Sequence, residues 1–229
     1  MTSFWLKFKL LSDATFGRGD GVAGVVDAEV QHDEYGLPYL SGKTLKVLLG
    51  AECAEILFAL SQSQAGRARD WARAATRLFG EPGSGATEAG IVHFGDARLP
   101  RSLRAAIATE FAAKPPEGQG RLQRDMLESL TAVRRQTAMD AATGAPKTNT
   151  LRAMRVILRE TPFEAELTCL EPLNDDERGL LAACVRAFRR AGTGRNRGRG
   201  RLTADLYLQD GEQAIPSTWF ELFRKAVPA

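Results

Sequence analysis

The residues Arg186 to Arg201, RAFRRAGTGRNRGRGR, bring seven arginines and four glycines together with no acidic residue among them. Arginine offers a planar five-donor fork that matches phosphate oxygens, and glycine lets the backbone take positive φ and approach a ligand closely. That pairing is the chemistry of a nucleic-acid backbone site. Lys43 and Lys46 stand at the start of an apolar, helix-like run, where free backbone amides also favour an anion. Arg134, Arg135, Lys147, Arg152 and Arg155 surround a turn-rich segment, Thr137 to Thr150, whose Met139 has the character of an apolar wedge. The two histidines, His32 and His93, are general acid/base candidates, although His93 alternates with apolar residues and reads as structural. Asp20, Asp27, Glu29, Asp33 and Glu34 form an acidic stretch, and taken alone Asp27 reads as a turn or cap carboxylate.

The elements around the arginines show that they do not form a tail. Asn174 to Ala191 has the marks of a helix: Asn174 as cap, Glu177 completing a capping box, and Leu180, Leu181, Cys184, Val185 and Phe188 as its apolar face. Beyond the glycines, Leu202, Ala204, Leu206 and Leu208 alternate with polar residues as in a half-buried strand. The arginine loop therefore joins a helix to a strand at the edge of a core.

Earlier in the chain, Phe4, Leu6, Phe8 and Leu10 alternate as an opening strand, and Thr15 to Gly42 is too irregular for helix and reads as a long functional loop. Helices are predicted over Thr44 to Leu60, Ala65 to Phe79, with Trp71 and Phe79 inward, and Leu103 to Ala113. A glycine-rich connector, Gly80 to Gly90, and a short strand, IVHFGDARL, separate the last two, so residues 61–90 form a helical elaboration. Residues 114–153 read as an inserted arm or hairpin, beginning in the Pro/Gly-rich run Lys114 to Gly120. Strands follow at Met154 to Leu158 and in FEAELTCL. There is no internal repeat.

With 229 residues and 44% hydrophobic content the chain is globular, and a formal charge of +3 places the message in where charge sits and not in its sum. Cys53, Cys169 and Cys184 are widely spaced in apolar patterns, as buried free thiols of a reducing cytosol would be, and they do not suggest a metal site. Neither an export signal nor a membrane span is indicated, because the most apolar run, Leu45 to Leu60, carries Lys46, Glu52 and Glu55.

Two near-motifs fail on spacing. Gly36 to Thr44, GLPYLSGKT, resembles a phosphate-binding P-loop but has five residues between its glycines where that motif has four. Gly192 to Gly198 lacks the glycine spacing of a dinucleotide fingerprint and follows a helix where that motif follows a strand.

In combination the motifs resemble those of the RAMP superfamily of CRISPR-associated proteins. In order they are GRGDGVAGVVDAEV, DEYGLPYLSGKTLK, RLFG before a strand ending FGDARL, TAMDAATGAPKTNTLRAMRVI and GTGRNRGRGRL. The likeness spans nearly the whole chain and is strongest to the backbone subunit of type III effector complexes that binds guide RNA and cuts target RNA. It implies a single α+β domain over residues 1–229: a ferredoxin-like antiparallel sheet of the RNA-recognition type, helices on one side, and an inserted thumb hairpin. It further implies CRISPR guide RNA, complementary target RNA, other effector subunits and head-to-tail copies of the chain as partners, in the cytoplasm. Asp27 takes the place of the catalytic aspartate and, with Mg²⁺ or another divalent ion bound together with substrate, of the metal ligand. Arg18, Lys43, Lys46, Arg134, Arg135, Lys147, Gly194, Arg195, Arg197 and Arg199 take RNA-binding places. Two other roles on the same fold are a structural subunit that does not cut and an endoribonuclease that processes the guide precursor. The acidic character near the first strand–helix junction disfavours the latter. Val47 stands where relatives often carry glycine, and Lys43 adds a charge.

Overall fold

The computed structural model describes residues 2–21, 26–62, 67–81, 90–208, 213–215 and 218–227. The alternating start of the chain forms β1 (Thr2–Leu10), with Phe4, Leu6, Phe8 and Leu10 buried and Trp5, Lys7 and Lys9 on the opposite face. Antiparallel partners flank it, β5 (Pro162–Cys169) on one side and β6 (Leu202–Leu208) on the other, and Leu6 lies between Ala165 and Leu206. The short β2 (Val92–Phe94) pairs with β5, and β7 (Gln213–Ala214) pairs with β6, giving the order β2-β5-β1-β6-β7.

Helix α1 (Gly42–Gln62) connects β1 to β2, and α5 (Asp175–Ala187) connects β5 to β6. Without the inserted elements the chain therefore runs β-α-β-β-α-β, the connectivity of two split β-α-β units. The core lies on the helical side of the sheet, where Phe8 stacks on Phe163 at 5.1 Å and meets Phe16 and Phe188 edge-on. Two further helices close this layer. In α2 (Ala68–Phe79), Trp71 and Phe79 point inward as expected; in α6 (Thr218–Ala226), Trp219 packs on Phe4 and Phe223 on Trp71. The helix assigned from sequence to Leu103 to Ala113 is α3 (Arg101–Ala112). The predicted start of α2 at Ala65 and most of the Gly80 to Gly90 connector lie outside the described residues.

Helix α5 carries the full capping box: Glu177 N donates to Asn174 Oδ1, and Asn174 N donates to Glu177 Oε2, each at 2.9 Å. The three cysteines are buried free thiols. No helix among the described residues is long and apolar enough to cross a membrane.

Within residues 114–153, the Pro/Gly-rich run expected to be turn-like instead opens helix α4 (Pro116–Leu130). Proline suits a first helical position, whose amide has no intrahelical partner in any case. A two-stranded hairpin follows, β3 (Thr131–Gln136) against β4 (Arg152–Ile157), and the expected strand at Met154 to Leu158 is part of it.

The arginine loop is a built turn. Ala191 N donates to Gly200 O and Leu202 N to Arg189 O, which closes its neck, and Arg195–Arg197 form one 3-10 turn between left-handed Gly194 and Gly198. Gly200 has φ +65°, and a Cβ there would stand 1.8 Å from Ala191 O; at Gly198, φ is +79° but the space is open. Gly198→Ala is therefore expected to cost only the left-handed strain of about 1–2 kcal/mol. Gly200→Ala adds a clash with backbone, and its melting temperature should fall clearly further. Equal melting shifts in the two variants would mean that the neck is not closed in this way.

Candidate nucleic-acid interface

The pleat of the hairpin sorts its side chains. Arg134 pairs with Met154 and Gln136 with Arg152, so these four share one face, while Arg135, Ala153, Val133 and Arg155 share the other. The first face looks onto the arginine loop. A depression of about 550 Å³ is lined by Gln136, Met154, Thr193, Arg195, Arg197 and Arg199. A second, of about 590 Å³, is lined by Gln136, Thr137, Thr150, Arg152 and Arg197. Together they make a groove walled by the loop and the base of the hairpin. Arg195, Arg197 and Arg152 are exposed there with no side-chain ion pair among the described residues, and Arg199 is held on the Met154 sulfur.

Several sequence-designated cations are occupied elsewhere. Arg134 donates through Nε and Nη2 to Asp13 Oδ2, at 3.1 and 2.9 Å, and Asp13 Oδ1 accepts Arg159 N. Arg18 is forked onto Asp20, which holds the Asp20 carboxyl below its ordinary value. Arg135 is exposed on the face away from the groove, and Lys147 is exposed in the hairpin's connecting turn, where its amide donates to Ala138 O. At the start of α1, Lys43 is exposed and Lys46 half-buried, and two of the amides expected to be free are taken. Gly42 N donates to Asp96 Oδ1 at 2.9 Å and Thr44 N to Ser41 Oγ at 3.3 Å. Burial pushes the Asp96 carboxyl up, and the Gly42 amide with Arg98 outweighs it, so Asp96 stays below its ordinary value. The helix start thus carries its own carboxylate, which leaves the lysines as its contribution to an anion.

The acidic stretch resolves residue by residue. Asp33 Oδ1 caps a turn by accepting Tyr35 N and Leu37 N, and His32 Nδ1 lies 3.0 Å from Asp33 O. His93 is exposed on the open face of the sheet, opposite Thr168. Glu29 is buried and binds Arg155 Nε with both oxygens, at 2.9 and 3.1 Å, while Arg155 Nη1 reaches Thr131 Oγ1. Asp27 is exposed, with its backbone and side chain both tied to one residue of β4. Asp27 N donates to Ala153 O at 2.8 Å, and Asp27 Oδ2 accepts Ala153 N at 2.7 Å. Asp27 Oδ1 has no hydrogen bond among the described residues. On the near side of the preceding loop, a Cβ on Gly21 would stand 2.3 Å from Val26 O and 2.7 Å from Asp27 C, so glycine lets the chain pass behind Asp27.

Strand β4 therefore gathers the site. Ala153 holds Asp27, Met154 touches Arg199, and Arg155 holds Glu29. Sequence reading passed over Asp13, the anchor of Arg134, and Gln136, which lines both depressions. Strand alternation with Arg134 was the signal for Gln136; for Asp13 there was none, since its partner lies 121 residues away.

A family model described as RAMP superfamily matches residues 7–203. No curated protein sequence matches the chain. Among solved structures it is similar to a chain of the Type III-B Cmr-beta cryo-EM structure bound to cognate target RNA. That match has a TM-score of 0.61 and 14% identity over 90% of this chain and 97% of the other. It is also similar to a chain of the Type III-B Cmr-beta apo state, with a TM-score of 0.62 and 13% identity over 91% and 98% of the two chains. At these identities the likeness is one of fold.

The Glu29–Arg155 pair gives this geometry a direct test. Its side chains are only 4% and 13% exposed, and removing one member leaves a nearly buried charge, which costs about 3–5 kcal/mol. Glu29→Ala should lower the melting temperature by roughly 6–20 °C, at about 2–4 °C per kcal/mol for a chain of this size. Glu29→Met combined with Arg155→Met should recover most of that loss. A Glu29→Ala protein that melts like wild type would show the pair to be solvated.

Proposed function

This chain belongs to the RAMP superfamily, and we propose that it is a guide-RNA-binding backbone subunit of a type III CRISPR ribonucleoprotein that cuts complementary target RNA at Asp27. One observation carries the proposal: β4 lends Arg152 and Met154 to the arginine-lined groove, and Ala153 between them holds the exposed Asp27. A strand of RNA seated in the groove would have its phosphates on Arg195, Arg197 and Arg152, with Lys43 and Lys46 extending the basic track. The hairpin, whose Met139 and Leu151 are 57% and 68% exposed, would act as the thumb that parts one base pair of the guide–target duplex. Further copies stacked head to tail, and the other effector subunits, would complete the particle in the cytoplasm.

Parting a base pair matters chemically. Cleavage of RNA by its own 2'-hydroxyl requires that oxygen in line with phosphorus and the leaving 5'-oxygen, and a regular A-form helix does not provide that alignment. In this reading Asp27 would accept the hydroxyl proton through its unbonded Oδ1 as the 2'-oxygen bonds phosphorus and the 5'-oxygen leaves, taking a proton from water, to give a cyclic phosphate and a free 5'-hydroxyl. Among the described residues no group of three or more His, Cys, Asp or Glu side chains is placed to hold a metal. A single carboxylate completed by waters and substrate phosphate is nevertheless a form in which Mg²⁺ binds, and Asp27 fits it. When bound, such an ion offsets charge at the scissile phosphate.

A second reading has its own observation. Asp27 Oδ2 is engaged by the Ala153 amide, which is what a purely structural aspartate would also do, and it favours a RAMP subunit that binds guide RNA without cutting. Asp27→Asn separates the two, because the amide oxygen retains the bond to Ala153 N while losing charge and basicity. With the complex assembled on a guide, Asp27→Asn and Asp27→Ala should each slow cleavage of complementary RNA by at least about a hundredfold and leave guide binding intact. Removing Mg²⁺ should slow the wild type. Cutting by Asp27→Asn at the wild-type rate would transfer the chemistry to another residue.

The groove is tested by salt. Arg195→Ala with Arg197→Ala should weaken single-stranded RNA binding and flatten the slope of log affinity against log salt by about 1.4, at about 0.7 per phosphate contact. A slope equal to that of wild type would mean the loop meets solvent and not phosphate.

A further inference from the structure

Of the uncharged side chains that line the groove, Gln136 is the one common to both depressions. Gln136 is the last residue of β3, half-buried on the face it shares with Arg134, and it lines both depressions. The only other residue common to the two linings is Arg197. The Gln136 side-chain amide has no hydrogen-bond partner among the described residues. Thr193 and Asn196 line only the first depression and stand exposed on the loop, whereas Thr137 and Thr150 in the second have partners. Thr137 Oγ1 and Thr150 Oγ1 bond each other at 2.9 Å, and Thr150 Oγ1 donates to Lys147 O at 2.7 Å.

Guanidinium groups only donate, so the arginines that line the groove satisfy phosphate oxygens and offer nothing to a hydroxyl hydrogen. A ribose 2'-hydroxyl both donates and accepts, and it is the group by which a protein tells RNA from DNA. A carboxamide both donates and accepts as well. We infer that Gln136 is a specificity-determining residue for ribose: it hydrogen-bonds the 2'-hydroxyl of the nucleotide whose phosphate rests on Arg197, so the groove prefers RNA to DNA and not merely any polyanion. The inference rests on the RNA-backbone reading of the groove given above. It adds a division of labour, in which the arginines supply affinity common to all nucleic acids and Gln136 supplies the choice of sugar.

The test measures binding of the full chain to a labelled single-stranded RNA, to DNA of the same sequence, and to the RNA fully 2'-O-methylated, at several salt concentrations. Wild type should bind RNA roughly three- to tenfold more tightly than DNA, the range one net hydrogen bond supports. The methylated strand, which keeps the acceptor but not the donor, should fall below RNA. Gln136→Leu should weaken RNA binding alone and bring the RNA/DNA ratio towards one, with the salt slope unchanged for both strands and thermal melting confirming the fold. A ratio unaltered by Gln136→Leu, or an equal loss on RNA and DNA, overturns the assignment while the salt slope leaves the phosphate groove standing. Absence of salt-dependent binding to any strand by wild type overturns the groove itself, and this inference with it.

Discussion

The buried contact between Glu29 and Arg155 is the charged anchor of a seam between two distant segments, which backbone hydrogen bonds of Ala14 with Ile157, Ala28 with Arg155 and Asp27 with Ala153 also join. The first is the irregular stretch after β1, and the second is a hairpin that arises more than a hundred residues later; the pair joins them through two hydrogen bonds at 2.9 and 3.1 Å. Ion pairs this deep add little net stability against an apolar alternative, since desolvation offsets their attraction. What they add is register. The Glu29 carboxylate, which also accepts Val30 N at 2.8 Å, holds the Arg155 guanidinium beside the parallel bridge of Ala28 and Met154, with Asp27 opposite Ala153.

Around that anchor the positive charge is divided between structure and surface. Arg134, Arg155 and Arg18 are each held by a carboxylate, so they shape the hairpin and the loop before any ligand arrives. Arg195, Arg197 and Arg152 remain exposed on the two walls of one groove. Seven arginines in a short segment would repel each other if they converged; here Arg186 stacks over the Phe220 ring, Arg199 lies on Met154 and Arg190 bonds the Arg195 carbonyl. The glycines spread the rest outward. A modest net charge of +3 thereby conceals a strongly basic edge.

Periodic features were legible in the sequence because they report burial within one element. The alternation of Phe4, Leu6, Phe8 and Leu10, the capping box of Asn174 and Glu177, and the passage from helix through arginine loop to strand all appear where the residues indicate. The Pro/Gly run at Lys114 to Gly120 misled because proline is as compatible with a helix's first turn as with a loop. Pairings across long stretches of chain were not legible at all. Nothing in the local sequence distinguishes Glu29, which meets Arg155, from Glu34, which stays exposed, and the capture of the Gly42 amide by Asp96 depends on β2 ending beside α1. Asp27 could be singled out only through its resemblance to a family pattern, since an exposed aspartate after glycines is what any turn would carry.

The attachment of Asp27 to β4 also determines how the site can respond to a ligand. Hydrogen bonds from both the backbone and the carboxylate of Asp27 converge on Ala153, and the next residue along, Met154, bears the weight of Arg199 from the arginine loop. The hairpin that carries the exposed Met139 and Leu151 is thus joined through one strand to the carboxylate and to the arginine loop together. The loop meets that strand a second time through Thr15, whose carbonyl accepts Thr193 N and whose Oγ1 donates to Arg155 O, each at 2.9 Å. The arginine loop and Asp27 therefore share one support, β4.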